Sequence, residues 1–153
     1  MMDAHAASPM SDPRRAHISA AASAPGHVVE ELDTFCRVEG LPADAVWPLR
    51  IALDEIVTNI VTHGGGGRTI DVSFRRDAAG IEVVIADDGP PFDPLASPEP
   101  DVTLPLEARQ PGGLGILFVR SLMDEVRYER KTGNVLTLRK RLGPDGPGPR
   151  EPR

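Results

Sequence analysis

Apolar residues alternate with polar ones in some stretches of this chain and recur every three or four residues in others. Alternation and short apolar runs between turns predict strands, whereas helical spacing predicts amphipathic helices. The pattern predicts five strands, near residues 15–20, 68–76, 81–86, 126–130 and 135–142, and three helices, near residues 23–39, 42–63 and 114–123.

Glycine and proline set the expected limits of the first two helices. Ser23 before Pro25 is a typical helix start, and Gly40 ends that helix. In the second helix Pro48 marks either a bend or a fresh start. The four glycines at positions 64–67 must end it, because four successive glycines cannot hold a helix.

The order of these elements predicts an α+β fold. We expect a two-layer α/β sandwich, with a mixed, mainly antiparallel sheet and helices on one face. The domain should span residues 14–142, between disordered segments at residues 1–13 and 143–153 that lack apolar periodicity. Residues 93–111 contain five prolines, and so long a loop is usually a functional lid or disordered.

Composition narrows the function. With 153 residues, 40% hydrophobic and 26% charged, the chain is typical of one soluble domain. A net charge of −6 argues against a direct nucleic-acid binder. Cys36 is the single cysteine, so no intrachain disulfide forms. No apolar run reaches membrane-spanning length and no signal peptide is visible, so we expect a cytoplasmic protein without a membrane partner.

A polar line on the second helix is the first candidate for chemistry. Glu55, Asn59 and His63 are spaced four residues apart and therefore share one helix face. Amide and carboxylate oxygens one turn apart suit Mg²⁺, which takes oxygen ligands and keeps several waters. The alternative is an ordinary solvated helix face.

Two glycine-containing segments are the other candidates. Asp87 and Gly89 follow a buried strand, where a carboxylate can accept a hydrogen bond from an exocyclic amine and glycine lets a flat ring approach. The segment 112–115 opens a helix with three glycines, which leaves backbone N–H groups free for phosphate. Each segment alone would also suit an ordinary turn.

Taken together, these motifs resemble a known family. From about Ala16 to Leu142 the chain resembles the GHKL ATPase superfamily with its Bergerat ATP-binding fold, and within it the stand-alone anti-sigma-factor serine/threonine kinases. The resemblance is carried by residues 49–59, 87–93 and 112–125.

The resemblance implies roles for the candidate residues around the base and the metal. Glu55 matches the general base, and Asn59 matches the Mg²⁺ ligand. Asp87 matches the carboxylate that reads the adenine amino group, and Gly89 matches the glycine that shapes the adenine pocket.

The resemblance also implies a phosphate-binding turn, made by Gly112, Gly113, Leu114 and Gly115. The loop of about residues 94–111 matches the ATP lid, and Thr137 matches a late threonine near the adenine. Arg109 either reaches the γ-phosphate or is a surface charge.

The implied function is an ATP- and Mg²⁺-dependent kinase. It would phosphorylate a STAS-type anti-sigma-factor antagonist, sequester a sigma factor and form a homodimer. Two alternatives remain open: a module whose affinity for partners is switched by ATP without kinase activity, and an ATPase that uses water as acceptor. A sensor histidine kinase core is disfavoured, because no helical hairpin with a phosphoacceptor histidine precedes the domain.

Overall fold

The computed structural model describes residues 13–63, 68–96 and 113–142. The described elements follow one another as strand β1, helices α1 and α2, strands β2 and β3, a short 3₁₀ turn, helix α3, and strands β4 and β5. Their bounds are Arg14–Ser19 (β1), Ala24–Glu39 (α1), Ala43–His63 (α2), Thr69–Arg76 (β2), Gly80–Asp87 (β3), Pro94–Ala96 (the 3₁₀ turn), Gly113–Leu122 (α3), Glu125–Arg130 (β4) and Asn134–Arg141 (β5).

The five strands form one sheet in the order β1-β2-β3-β5-β4. All four pairings between these strands are antiparallel. The predicted α+β fold is therefore confirmed, and within the described part of the chain its sheet is antiparallel throughout. β3 lies at the centre, so both neighbouring strands fix the position of its last residue, Asp87.

The core lies between the helices and one face of the sheet. Alternate residues of β2 and β3 are fully buried there, and Phe35 of α1 stacks on Phe74 of β2 with ring centroids 5.6 Å apart. The intervening strand residues face the other way and line an open groove that includes Ser73 and Val84. Period-2 alternation thus separates a covered face from an open one.

Glycine and proline limit α1 as predicted, and α2 shows which of the two predicted roles Pro48 has. Gly40 follows α1 with φ 68°, and its backbone N–H caps the carbonyls of Cys36 and Arg37. α2 runs unbroken through Pro48, so this proline is not a fresh start. It lies in the second turn, where the missing N–H costs a single backbone hydrogen bond.

Several expectations concern residues outside the described part. These are the disordered ends at residues 1–12 and 143–153, the four glycines at 64–67, and the lid beyond residue 96. They stay predictions. No described helix combines the length and the apolar character needed to cross a membrane.

Cys36 is expected to be unreactive in the folded protein. Burial, together with the negative charge of Asp33, raises the pKa of its thiol to about 11. Because the thiolate is the reactive form, we expect DTNB at pH 8 to label native protein at least about 10²-fold more slowly than unfolded protein. Similar rates with and without denaturant would contradict this placement of Cys36.

Candidate functional site

The polar line on α2 is exposed at one end and partly buried at the other. Glu55 and Asn59 are partly buried, and neither side chain forms a hydrogen bond with any residue that the structure describes. His63 is exposed and stacks on Phe92, with ring centroids 5.7 Å apart. Among the described residues the only fully buried side-chain polar atom without a partner is Nε of Arg68, so solvent reaches the polar atoms of Glu55 and Asn59. Glu55 and Asn59 are therefore available to a ligand, whereas His63 supports the loop after β3.

Asp87 lies at the end of β3, and its carboxylate is held on one side only. Its Oδ1 accepts a hydrogen bond from the backbone N–H of Gly89 (2.9 Å) and another from Nδ2 of Asn134 (3.0 Å). Its Oδ2 accepts none from the described residues. A carboxylate oxygen left free at a cleft can accept a hydrogen bond from a ligand amine.

The neighbouring Asp88 has a structural role. The backbone N–H of Thr69 donates to its carboxylate at 2.9 Å, which ties the end of β3 to the start of β2. This hydrogen bond is the main reason that the pKa of Asp88 lies below its usual range. Of the two successive aspartates, only Asp87 therefore faces the cleft.

A cleft joins Asp87 to Asn59. Its empty space, with the open mouth included, is about 350 Å³. The walls are mostly apolar, with a few polar groups, as is usual for small-molecule sites. The lining residues come from α2, from β3, β4 and β5, and from the loop after β3: Ile56, Asn59, Ile60, Ile85, Asp87, Phe92, Pro94, Tyr128, Asn134 and Leu136.

The glycine segment meets Glu55. α3 begins at Gly113, and Leu114 and Gly115 follow within its first turn, whereas Gly112 and Arg109 lie outside the described residues. An ideal Cβ placed on Gly115 would stand 2.4 Å from Oε2 of Glu55. The missing side chain of Gly115 therefore lets the Glu55 carboxylate lie directly against the start of α3, where free backbone N–H groups favour anions.

Thr137 is not brought to this cleft. In β5 it pairs with Val84 of β3, and both residues face the open side of the sheet. Asp87 pairs instead with Asn134, three residues before Thr137. Because successive side chains of a strand face opposite sides, Asn134 and Thr137 cannot share a face. The expected placement of Thr137 near the adenine is corrected by this register.

Asn134 is the site residue that the sequence pattern did not reveal. It is only 6% exposed and contacts Asp87 directly. In the sequence it is the last residue of the turn 131–134, where asparagine is common for local reasons. Its only distinguishing signal was its position directly before the apolar alternation of β5.

The predicted Mg²⁺ site has few protein ligands. The described residues contain no group of three or more His, Cys, Asp and Glu side chains that could hold a metal ion. Mg²⁺ commonly takes one or two protein oxygens and completes its shell with water and substrate phosphates. The amide of Asn59, which has no hydrogen-bond partner among the described residues and lies one turn from Glu55, fits that kind of site.

Three features together define a class of ATP-binding domain. They are an antiparallel sheet covered by helices, a carboxylate at the end of a central strand, and a helix that begins with glycines beside a second carboxylate. The family model described as the histidine kinase-like ATPase domain matches residues 18–140. The chain belongs to that family.

Curated relatives agree with this assignment, and a solved structure shares the fold. The chain is 33% identical over 101 residues to the serine/threonine-protein kinase BtrW of Bordetella bronchiseptica, covering 63% of this chain and 71% of the relative. It is 32% identical over 111 residues to the serine-protein kinase RsbW of Halalkalibacterium halodurans, covering 69% and 68%.

The solved structure contains the RsbU and RsbW domains of Rv1364c from Mycobacterium tuberculosis. It shares the fold with a TM-score of 0.62 at 18% identity, covering 86% of this chain. This chain spans only 33% of that longer protein chain.

Proposed function

We propose that the chain binds ATP with Mg²⁺ in this cleft and transfers the γ-phosphoryl group to a serine or threonine hydroxyl of a partner protein. The observation that carries the proposal is the Glu55 carboxylate, which lies against the start of α3 without a hydrogen-bond partner among the described residues. In this proposal Glu55 stands as a base at the phosphate end of ATP, and Asp87, which lines the cleft, stands at the adenine end. The names of the relatives, a serine/threonine-protein kinase and a serine-protein kinase, support the same reaction class.

Each residue then has a task in the transfer. The acceptor hydroxyl oxygen forms a bond to the γ-phosphorus, the bond between this phosphorus and the β–γ bridging oxygen breaks, and ADP leaves. Glu55 takes the hydroxyl proton. The first turn of α3 offers backbone N–H groups to the phosphates, and Asn59 holds Mg²⁺, which neutralises phosphate charge when bound.

The partners belong to the proposal as well. The proposed acceptor is a STAS-type anti-sigma-factor antagonist, and the protein sequestered is a sigma factor, bound by a homodimer of this chain. Incubation with labelled ATP and candidate antagonists tests this, and we expect labelled phosphoserine or phosphothreonine. Binding of a sigma factor that responds to ATP, without any transfer, would favour the binding module. Release of phosphate to water alone would favour the ATPase.

Removing the Asp87 carboxylate is expected to weaken ATP binding. An unpaired polar group in such a site costs about 1–3 kcal/mol, so Asp87→Ala should lower the ATP affinity between several-fold and about 10²-fold. Calorimetry measures the change. The matched control is Thr137→Val, which alters β5 on its open face and should leave the ATP affinity within about twofold. Equal ATP affinities of Asp87→Ala and wild type would show that Asp87 does not read the adenine.

A further inference from the structure

Asn134 occupies an unusual position for a polar side chain. It is 6% exposed, begins β5, and pairs in register with Asp87 at the end of β3. Buried amides are found where their hydrogen-bonding groups are satisfied. The identity of those partners therefore indicates what the amide does.

The carbonyl oxygen of the Asn134 side chain accepts three hydrogen bonds. The donors are the Tyr128 hydroxyl (2.5 Å), the backbone N–H of Phe92 (3.1 Å) and Nη1 of Arg130 (3.2 Å). Its Nδ2 donates to Oδ1 of Asp87 (3.0 Å) and to the backbone carbonyl of Pro90 (2.9 Å). Rotating the amide by 180° would exchange donor and acceptor and break the four hydrogen bonds other than that to the Tyr128 hydroxyl, which can both donate and accept, so the orientation of the amide is fixed by the surrounding groups.

The fixed amide in turn fixes the carboxylate of Asp87. Oδ1 of Asp87 accepts from Asn134 and from the backbone N–H of Gly89, which fills the two lone-pair positions of that oxygen. The carboxylate cannot rotate without losing both hydrogen bonds. Oδ2 is therefore kept as the acceptor that the cleft presents, since no described residue donates to it.

We propose that Asn134 is a positioning residue that sets the preference of this site for a purine with an amino group at position 6. It acts through Asp87 and touches the base only through that carboxylate. The inference rests on the proposed binding of ATP. A carboxylate held in place by two donors can discriminate a ligand amine, whereas a rotating one would accommodate several arrangements.

The same amide also contacts the loop at Pro90 and Phe92, so the experiment must separate positioning from general support. The probe is purine riboside 5′-triphosphate, which differs from ATP only in lacking the 6-amino group. If the variant loses only general support of the loop, the affinities for both nucleotides fall equally. If the variant loses the positioning of the Asp87 carboxylate, only the affinity for ATP falls, and the ratio of the two affinities falls with it.

The decisive variant is Asn134→Asp, measured by calorimetry at pH 8. Aspartate keeps the size of the side chain and the acceptor oxygen for Tyr128 and Arg130, but replaces the donor to Asp87 by a second carboxylate oxygen. Two ionised carboxylates at this distance repel each other, so Asp87 is displaced. Thr137→Val is the matched control, because it alters β5 on the open face and leaves the hydrogen bond from Asn134 to Asp87 in place.

Wild type is expected to bind ATP at least about tenfold more tightly than purine riboside triphosphate, the usual effect of a hydrogen bond to a charged group. In Asn134→Asp this ratio should fall below about threefold, mainly through weaker ATP binding, whereas Thr137→Val should keep it within about twofold of wild type. If Asn134→Asp does not fold, Asn134→Ser, which also removes the amide donor, serves for the same comparison.

Two results would overturn the inference. One is an unchanged ratio in the Asn134 variant, and the other is an equal loss of affinity for both nucleotides. Wild-type protein that binds neither nucleotide would instead contradict the proposed function, so the two failures are distinguishable.

Discussion

Replacement of Glu55 by glutamine is expected to lower phosphoryl transfer by roughly 10²–10⁴-fold, the usual effect of losing a general base. Glutamine keeps the length of the side chain and its place against Gly115 but cannot take the hydroxyl proton. The affinity for ATP should stay within a few-fold of wild type, because the base acts on the acceptor hydroxyl and contributes little to holding the nucleotide.

Two other substitutions on α2 make the Glu55 experiment specific. Asp54→Asn removes a carboxylate from the adjacent, exposed position and should leave the transfer rate within about twofold. Asn59→Ala should lower both ATP affinity and transfer, since Asn59 is proposed to hold Mg²⁺. The rate is measured with labelled ATP and a protein acceptor. A Glu55→Gln protein as fast as wild type would reduce Glu55 to part of a solvated helix face.

Substitution of Gly115 by alanine is expected to lower transfer by about 10- to 10²-fold, since a displacement of about 1 Å at a reacting group can cost that much. The new methyl group would stand 2.4 Å from Oε2 of Glu55, so the carboxylate must move. That atom ends a flexible side chain and the rest of α3 can keep its place. Alanine is also a better helix former than glycine by about 1 kcal/mol, so the melting temperature should be unchanged or slightly higher.

Gly133→Ala is the contrasting variant. Its Cβ would stand 2.1 Å from the backbone oxygen of Asp87, and two strand ends cannot separate as easily as one side chain can turn. Here we expect a loss of about 1–3 kcal/mol in the free energy of unfolding, as for other overpacked positions, together with weaker ATP binding. Thermal melts and calorimetry on both glycine variants measure this difference.

A double variant shows how Gly115 acts. In Glu55→Ala/Gly115→Ala the carboxylate is absent, so the methyl group has nothing to displace, and transfer should be no slower than in Glu55→Ala alone. Full additivity of the two losses would mean that Gly115 acts on the phosphates rather than on Glu55. Loss of stability in Gly115→Ala comparable to that in Gly133→Ala would contradict the assumed freedom of the Glu55 side chain.

Much of the fold could be predicted from the sequence because its signals are local. The alternation at residues 68–76 predicted β2, which spans Thr69–Arg76, and helical spacing predicted the three helices. Pro25 and Gly40 set the limits of α1 through backbone geometry alone. Spacing also placed Glu55 and Asn59 on one face, since residues four apart are neighbours on any helix.

The order of the motifs along the chain pointed to site residues that hydrophobic periodicity alone does not identify. Asp87 and Asp88 are equivalent as local patterns, and only the resemblance to a family separated the first from the second. The structure supplies the physical difference: Asp88 is engaged by the backbone of Thr69 on β2, and Asp87 faces the cleft. That distinction depends on how two strands meet and is invisible in either strand alone.

The tertiary structure alone decided which residues of β5 belong to the site. Pairing of Asp87 with Asn134 puts Asn134 on the covered face and Thr137 on the open one. A slip of one residue in this register would exchange the two faces. Register follows from long-range packing of the sheet against α1 and α2, and the contact between Glu55 and Gly115 likewise joins residues 60 positions apart. The sequence determined which groups are present, and the packing determined which of them meet, because a local pattern carries no information about its distant partner.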